Sequence, residues 1–593
     1  MKNIRFEFNC SREVPFYGHL CNQYLQNEQY DVTIGELDNL YYIEAKGEQA
    51  QLEQLADAIA NDFLISAWLV KPQICAIDSP IGTKKLLPSR PLEIEYCQHC
   101  QPQFGDNQAA HFGDVGFDCP CCQAQKRITS AEKAVSLADA RALVKKLDKL
   151  GSIVLPHSNL GAGTIISFQP IENQPREARQ QLVICNPNNL HAHFSVNDNQ
   201  ILALSSIEKP FIKARPIRSH TRLKQPLYEI CFAKSRLLLV ICEILRQQGI
   251  DYVYIANVDN PKIAMVEAKW SLIETPATTK VLVIEATRQP LHDDAQAGNY
   301  QAKWAADHIE IIANQPCTNE DNAIAPINSA ASCALHSAVI GENKPRNIAA
   351  LYFSSSSKTQ IVTLDSKQNL ELFFEFPSLP DNGYDIVHQL ELSPQKALLD
   401  KFKTLYPDDY LKLLSLKLAH PTNNIESLWA IAAVFLGATT QTQHNQSSSK
   451  IVPLSKTELC DFVVARAMCH KGANAPRVDF PLTRGEAFRS LNWCKTLGSL
   501  ISFRLAEEEN IDKLAFGLHD SFADYICNWI EHLDQNICIK SVVIAGNSFA
   551  NELLAQRVSL RLGKNFTLNA NSKMDLDGLN IAAGALYLKQ RRH

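Results

Sequence analysis

A chain of 593 residues, 46% hydrophobic and 20% charged, is too long for one hydrophobic core, and roughly three to five domains are expected. With 58 Lys and Arg against 63 Asp and Glu, the formal net charge of -5 excludes the basic footprint that a nucleic-acid backbone or an anionic membrane surface would require. The longest apolar run, Leu428 to Ala438, falls short of the roughly 20 residues of a membrane span. The N-terminal MKNIRFEFNC alternates like a strand instead of opening a signal core, so a cytoplasmic location is expected.

In chain order, residues 1 to about 75 read as a small α/β unit: strand Ile4 to Phe8, helix Phe16 to Leu25, strand Leu40 to Ala45, helix Glu48 to Asn61 and strand Ser66 to Val70. Lys71 to Pro91 reads as a linker. The run SAEKAVSLADARALVKKLDKLG predicts one helix with Ser130 as N-cap and Gly151 as C-cap, followed by the strand SIVLP. A mixed αβ region continues to about Thr287, and the polar stretch Arg288 to Lys344 reads as a linker dividing the chain. Beyond it, NIAALYF and TQIVTL predict a strand pair, and TTQTQHNQSSSK, residues 439–450, reads as a low-complexity loop. FGLHDSFADYICNWIEHL is helical, and KSVVIAGNSFANELLAQRVSLRLG predicts a buried strand, a turn and a helix starting near Ser548. A helix start after such a turn can face an anion, although Gly546 is its only glycine.

Most of the eighteen cysteines stand alone in apolar runs, as Cys185, Cys231, Cys242 and Cys527 do, where a free thiol behaves as a small buried hydrophobe. The segment YCQHCQPQFGDNQAAHFGDVGFDCPCCQ differs. Cys97 and Cys100 form one CxxC, and Cys119 and Cys122 form another 18 residues later. Two intervening residues let a turn aim both sulfurs at one ion, and two such knuckles complete a closed tetrathiolate shell, the chemistry of structural Zn²⁺. Cys121, His99 and His111 are alternative ligands.

This order of parts resembles the HypF carbamoyltransferases, in which an acylphosphatase-like domain, a zinc-finger region, a YrdC-like domain and a TsaD-like domain follow one another. The knuckle has the family's spacing, although HypF proteins carry it twice and this chain once. AGNSFAN, at 545–551, is similar to the family's SGGVFQN and LDGLNIAAGA, at 576–585, to its NDGGIALGQA. FGLHDSFADYI resembles its FHDALA helix, with His519 and Asp520 in place. The resemblance implies a multidomain α/β and α+β protein: a degenerate acylphosphatase-like (ferredoxin-like) domain at 1–75, a zinc-finger region at 90–128, a YrdC-like domain at 130–310 and a shortened, actin-like TsaD-like domain at 340–593.

It further implies an anion or nucleotide site at Gly161, Gly163, Lys209, Lys213 and Arg215, and another at Gly546, Asn547, Asn551, Asp577 and Gly578, with ATP and Mg²⁺ as candidate ligands beside the structural Zn²⁺. Carbamoyl phosphate would be cleaved, the carbamate adenylated, and the carbamoyl group passed to a cysteine of a HypE-like partner for the cyanide ligand of a [NiFe]-hydrogenase. Departures from the family pattern point elsewhere. Tyr17 stands where the acylphosphatase loop has its arginine, Pro15 removes an amide donor, and the expected asparagine near Ile34 to Glu36 is absent. The serine-glycine pair before Asn257 is lost, and around His420 no HxxxH cluster occurs. These departures imply a HypF-derived scaffold or partner-binding maturation factor with weakened or lost catalysis. A carbamoyl- or threonylcarbamoyl-transferase with another acceptor is a further alternative.

Overall fold

The computed structural model describes residues 2–155, 163–172, 175, 177–218, 220–275, 281–313, 330–342, 345–438, 441–445, 448–452, 454–472, 474–484, 489–506 and 510–588. The chain forms two compact units. The first comprises Met1–Asn173, Gln180–Thr221 and Tyr228–Lys262, and the second Gln174–Arg179, Arg222–Leu227 and Ile263–His593.

The first unit opens with β1 (Lys2–Cys10), α1 (Pro15–Gln26), β2 (Val32–Leu37), β3 (Leu40–Gly47), α2 (Gln49–Asp62) and β4 (Leu69–Ala76). The sheet order β2-β3-β1-β4 is antiparallel throughout and has split βαβ connectivity. Alternation in β1 buries Phe6 and Phe8, and Phe8 stacks on Phe63 with ring centroids 4.1 Å apart. β2 was not expected from the sequence, and β4 runs into the stretch read as a linker.

The helix expected from Ser130 to Gly151 is broken. Thr129 caps a short turn, Ser130–Lys133, and Ser136 caps a second helix, Leu137–Leu150, through a capping box with Asp139. Gly151 ends it at φ +75°, the left-handed conformation expected of a C-cap glycine. The rest of the unit is a seven-stranded sheet, in the order Ser152–Val154, Ile165–Ser167, Tyr252–Ala256, Gln181–Ile184, Tyr228–Cys231, Ile212–Pro216 and Phe194–Ser195. Helices Leu137–Leu150 and Arg236–Gln247 pack against each other, the second burying Leu237, Val240, Ile241, Ile244 and Leu245.

The second unit is built on another seven-stranded sheet, ordered Leu482–Arg484, Arg489–Leu491, Leu370–Glu375, Gln360–Leu364, Ile348–Tyr352, Ser541–Ala545 and Thr567–Ala570. The last three strands are parallel. One large core joins this sheet to helices Ile425–Phe435, Lys456–Ala467, Trp493–Leu505, Ile511–Ile537 and Glu552–Leu562. The predicted pair NIAALYF and TQIVTL forms as antiparallel neighbours, because every residue of both strands is buried.

Three further expectations need correction. The stretch Arg288 to Lys344 contains strands Asp294–Ala297, Tyr300–Ala305 and His308–Ala313 and helix Ala330–Ala338. With Val281–Glu285 the strands make a four-stranded sheet on which helix Leu579–Ala585 packs, so apolar residues such as Ala302, Ile309 and Ile311 are core despite the polar composition. An antiparallel hairpin that begins within 439–450 pairs Gln441–Asn445 with Ser448–Val452. The helix expected near Ser548 starts at Glu552 instead. A 3-10 turn, Asn547–Ala550, comes first, and Asn551 is the N-cap.

Candidate functional site

In the first unit the four predicted ligands meet. Cys97, Cys100, Cys119 and Cys122 are each at most 1% exposed, and their Sγ atoms lie within 4.8 Å of one another. The separations Cys97–Cys119, Cys100–Cys122 and Cys97–Cys100 are 3.6, 3.8 and 3.9 Å. A tetrahedron of zinc–sulfur bonds of about 2.3 Å requires sulfurs about 3.8 Å apart, so the shell fits zinc. A disulfide would need about 2 Å. Of the alternative ligands, His99 is otherwise engaged, with Nε2 2.8 Å from Asp62, and Cys121 is not among the four whose Sγ atoms lie within 4.8 Å of one another. His111 lies against Phe117 with ring centroids 5.2 Å apart.

Sequence reasoning missed Arg236, a fully buried cation on the neighbouring helix. Its guanidinium donates to the carbonyls of Glu95, Val115 and Phe117 at 2.7, 3.0 and 2.7 Å and reaches Cys100 Sγ at 3.9 Å. Arg127 donates to the carbonyls of Ile94 and Cys122. Two guanidiniums beside a zinc tetrathiolate, which carries two net negative charges, offset the cost of burying it.

The proposed anion residues of this unit divide. Gly161 lies outside the described residues. Gly163 sits where a Cβ would come 2.9 Å from the Leu155 carbonyl, and its own carbonyl accepts from Asn257 Nδ2 at 3.4 Å. Lys209 donates to the Ser205 carbonyl at 2.7 Å and sits 5.6 Å from the Tyr96 ring, its ammonium pushed down to about 8 by burial. Lys213 and Arg215 alternate on one face of strand Ile212–Pro216, opposite Glu229 and Ser195. Arg215 Nη1 donates to the Pro216 carbonyl at 3.4 Å, and its buried Nε has no hydrogen-bond partner among the described residues.

The second unit gathers four of its five predicted residues at the carboxyl ends of two adjacent parallel strands, where open α/β sheets take ligands. Tyr352 and Ala545 end these strands side by side. The chain then leaves as two loops, Phe353 to Ser357 and Gly546 to Asn551, joined by Ser548 N donating to the Phe353 carbonyl at 3.0 Å. Gly546, at φ +98°, passes so close to Phe353 that a Cβ would overlap the Phe353 carbonyl. Asn547 is clamped on Ser355, accepting from its amide at 2.8 Å and donating to its Oγ at 3.0 Å. A third segment completes the cluster. Asp577 accepts from Tyr352 at 2.8 Å, from Ser354 Oγ at 2.6 Å and from Asn547 N at 3.3 Å. Gly578, at φ +144°, leaves room for the Tyr300 ring, which a Cβ would meet at 2.9 Å. Asn551 stands apart as a helix cap, accepting from Leu554 N at 3.3 Å.

The serines of SSSSK, Tyr352 and Asp575 were not anticipated. The signal was a polar small-residue turn directly after a fully apolar strand. Asp575 is fully buried and accepts from Thr275 N at 3.3 Å and Asn580 N at 3.4 Å. Burial, with the Asp577 charge nearby, pushes its carboxyl up to about 7, against the pull of these donors. Burial also raises Asp577, opposed by its Ser354 and Tyr352 hydrogen bonds. Beside the cluster, Asn424 Nδ2 donates to the Ser355 carbonyl at 2.9 Å, and Ser548 Oγ to Glu426 at 2.8 Å.

The candidate histidines lie elsewhere. His519 is fully buried, its ring tilted against Trp429 with centroids 5.2 Å apart and Nδ1 on the Ala515 carbonyl, and burial pushes it down to about 4. His470 packs on Phe516 and His420 pairs with Asp381 at the surface. Among the described residues the four cysteines are the one group of three or more ligands close enough to hold a metal. No described helix is long and apolar enough to cross a membrane.

No family model matches the sequence. Protein HydE of Wolinella succinogenes is 25% identical over 183 residues, which is 31% of this chain and 31% of that protein, so the chain spans less than a third of that relative. Two solved structures match far more broadly. Full-length HypF in its phosphate- and nucleotide-bound form has a TM-score of 0.58 at 10% identity, covering 99% of this chain and 98% of that chain. T. kodakarensis HypF has a TM-score of 0.58 at 11% identity with the same coverage. The chain is therefore HypF-like in fold along 99% of its length.

Proposed function

We propose that the protein is a HypF-type hydrogenase-maturation factor that binds nucleotide phosphate in its second unit and carbamoylates a HypE-like partner at the expense of carbamoyl phosphate and ATP. The fold supports this reading, and the observation that carries it is the convergence of Ser354, Ser355, Asn547 and Asp577 where two parallel strands end. Hydroxyl and amide groups of Ser355 and Asn547 would hold the phosphates, and Asp577 would take Mg²⁺, a hard cation that prefers oxygen ligands. The bound ion would neutralise phosphate charge. Gly546 and Gly578 let the backbone come close, and Tyr352 with Ser354 orients the carboxylate before substrate arrives, which places the catalytic contribution in positioning and electrostatics. The zinc tetrathiolate has no open position and would be structural.

A second reading, a maturation scaffold with weakened turnover, is favoured by one specific observation. Tyr17, at the position of the family's arginine, is a core residue with its hydroxyl donated to the Leu64 carbonyl at 2.7 Å, so that position presents no guanidinium to a phosphate. Purified protein given carbamoyl phosphate and ATP, with release of AMP and pyrophosphate followed, separates the two. Turnover lost on Asp577→Asn supports the enzyme, ATP binding without turnover supports the scaffold, and no ATP binding by calorimetry defeats the nucleotide site itself.

A further inference from the structure

Beside the first unit's large sheet, three segments bring together side chains that the proposed function does not use. Asp251 opens strand Tyr252–Ala256, His193 closes the short helix Leu190–His193, and His220 follows strand Ile212–Pro216. Backbone bonds fix the approach: the amides of Cys185 and Asn186 donate to the Asp251 carbonyl, and Ile217 N donates to the His193 carbonyl at 2.9 Å. Within this frame His193 Nε2 lies 2.8 Å from Asp251 Oδ2, and His193 Nδ1 lies 3.0 Å from His220 Nε2. The Tyr252 ring stands edge-on to His193 with centroids 5.1 Å apart.

The hydrogen bonds settle the tautomer. Asp251 also accepts from Asn186 Nδ2 at 2.8 Å and from Asn189 Nδ2 at 3.2 Å, and these donors with His193 hold its carboxyl below the usual range against the opposing effect of burial. An ionised carboxylate only accepts, so His193 Nε2 carries a proton, and in the neutral imidazole Nδ1 turns a lone pair toward His220. A histidine whose outer nitrogen is held by a carboxylate, itself held by two amides, is the arrangement that orients metal-binding imidazoles.

We propose that His193 Nδ1 and His220 Nε2 form a binding site for a divalent transition-metal ion, with Asp251 as the residue that positions His193. The ion displaces the proton that His220 Nε2 now donates and lies off the line between the two nitrogens, each ring turning its lone pair toward it. Bonds of about 2.0–2.1 Å to each nitrogen separate them by about 2.9 Å at a right angle and about 3.4 Å at the tetrahedral angle, and the observed 3.0 Å falls within that span. Imidazole donors select borderline ions such as Zn²⁺, Co²⁺ and Ni²⁺ over Mg²⁺. With two protein nitrogens the remaining positions fall to water or an oxygen ligand, so the ion is exchangeable, unlike one enclosed by the cysteines.

Full-length protein already holding zinc at its cysteines is dialysed against Co²⁺, and bound metal and the visible spectrum are read. The expected result is one cobalt per chain, with d–d bands and no thiolate charge-transfer band. His193→Gln and His220→Gln lose it, Asp251→Asn weakens it about 10–100-fold, and all three retain the zinc. His191→Gln, at a neighbouring exposed histidine, leaves cobalt binding unchanged. Absence of a cobalt site in the wild type, or equal uptake by His193→Gln and His220→Gln, overturns the proposal. Should His193→Gln fail to fold, His220→Gln decides alone.

Discussion

Tyr352 and Asp577, 225 positions apart, share a hydrogen bond of 2.8 Å that ties the end of a buried strand to the late acidic loop. Asp577 uses its second oxygen on Ser354, so both lone-pair faces of the carboxylate are set by the residues that begin the serine turn. Each hydrogen bond to a charged group contributes about 1.5–3 kcal/mol. Tyr352→Phe and Ser354→Ala should each destabilise the second unit by about that amount, read by urea denaturation, and should raise the Asp577 pKa further. Asp577→Asn should keep the fold while weakening ATP binding at least about tenfold by calorimetry. ATP affinity equal to wild type in Asp577→Asn would remove the residue from the site.

Zinc content provides an independent test of the first unit. Purified protein should carry one zinc per chain. Cys100→Ser or Cys119→Ser should abolish it and lower the melting temperature, since binding energy at a structural site is folding energy. Arg236→Met removes the donors to three carbonyls around the knuckle and the charge beside Cys100. It should cost about 3–5 kcal/mol, as breaking a buried charge network does, and should accelerate zinc loss to a chelator. Zinc release at the wild-type rate in Arg236→Met would show that the guanidinium supports packing alone.

The clustering of the four cysteines was legible because CxxC spacing is a covalent-distance argument that needs no tertiary information. The loop after Ser541–Ala545 was legible because an apolar strand ending in glycine has few alternatives. Tyr352, Ser354 and Asp575 were not. Their roles depend on pairing between strands roughly 190 residues apart, and a sequence window cannot show which turns end side by side. Arg288 to Lys344 failed for a related reason. Its strands alternate short side chains such as Ala295 and Ala302 inward, so the apolar period is too weak to outweigh the surrounding Asn, Asp and Ser. The break at Ala134 to Ser136 was hidden because Ser130 and Ser136 are both acceptable caps, and the capping box with Asp139 selected the second.

Asp575 makes stability pH-dependent in an unusual direction. Its carboxyl titrates near 7 in the folded chain and near 3.8 when unfolded. Between these values the native state holds a proton that the unfolded state has released, so stability falls as pH rises through the window. Asp575→Asn removes that slope. The stability of the wild type relative to Asp575→Asn should therefore be greatest near pH 4 and decline toward pH 7, on the order of 1 kcal/mol per pH unit. A pH-independent difference between the two, measured by denaturant unfolding at several pH values, would show that the Asp575 carboxyl titrates alike in the folded and unfolded chain.

A single substitution at Tyr17 tests the expected acylphosphatase-like character of the N-terminal module. Its ring is fully buried among Phe8, Tyr41 and Phe63, with centroids 5.3–6.1 Å away. Its hydroxyl both donates to the Leu64 carbonyl at 2.7 Å and accepts from Ser66 N at 3.2 Å. Val14 N, just ahead of the helix, is already taken by the Tyr41 hydroxyl at 3.1 Å. Tyr17→Arg would therefore force a cation into the aromatic core and orphan two backbone groups, at a cost of several kcal/mol. The expected result is a module that unfolds at lower urea concentration and gains no acylphosphatase activity on a small acyl phosphate. Tyr17→Phe should keep the fold at a cost of about 1–3 kcal/mol for the lost hydroxyl. Hydrolysis appearing in Tyr17→Arg would show instead that the loop can turn its amides and the new guanidinium toward a phosphate.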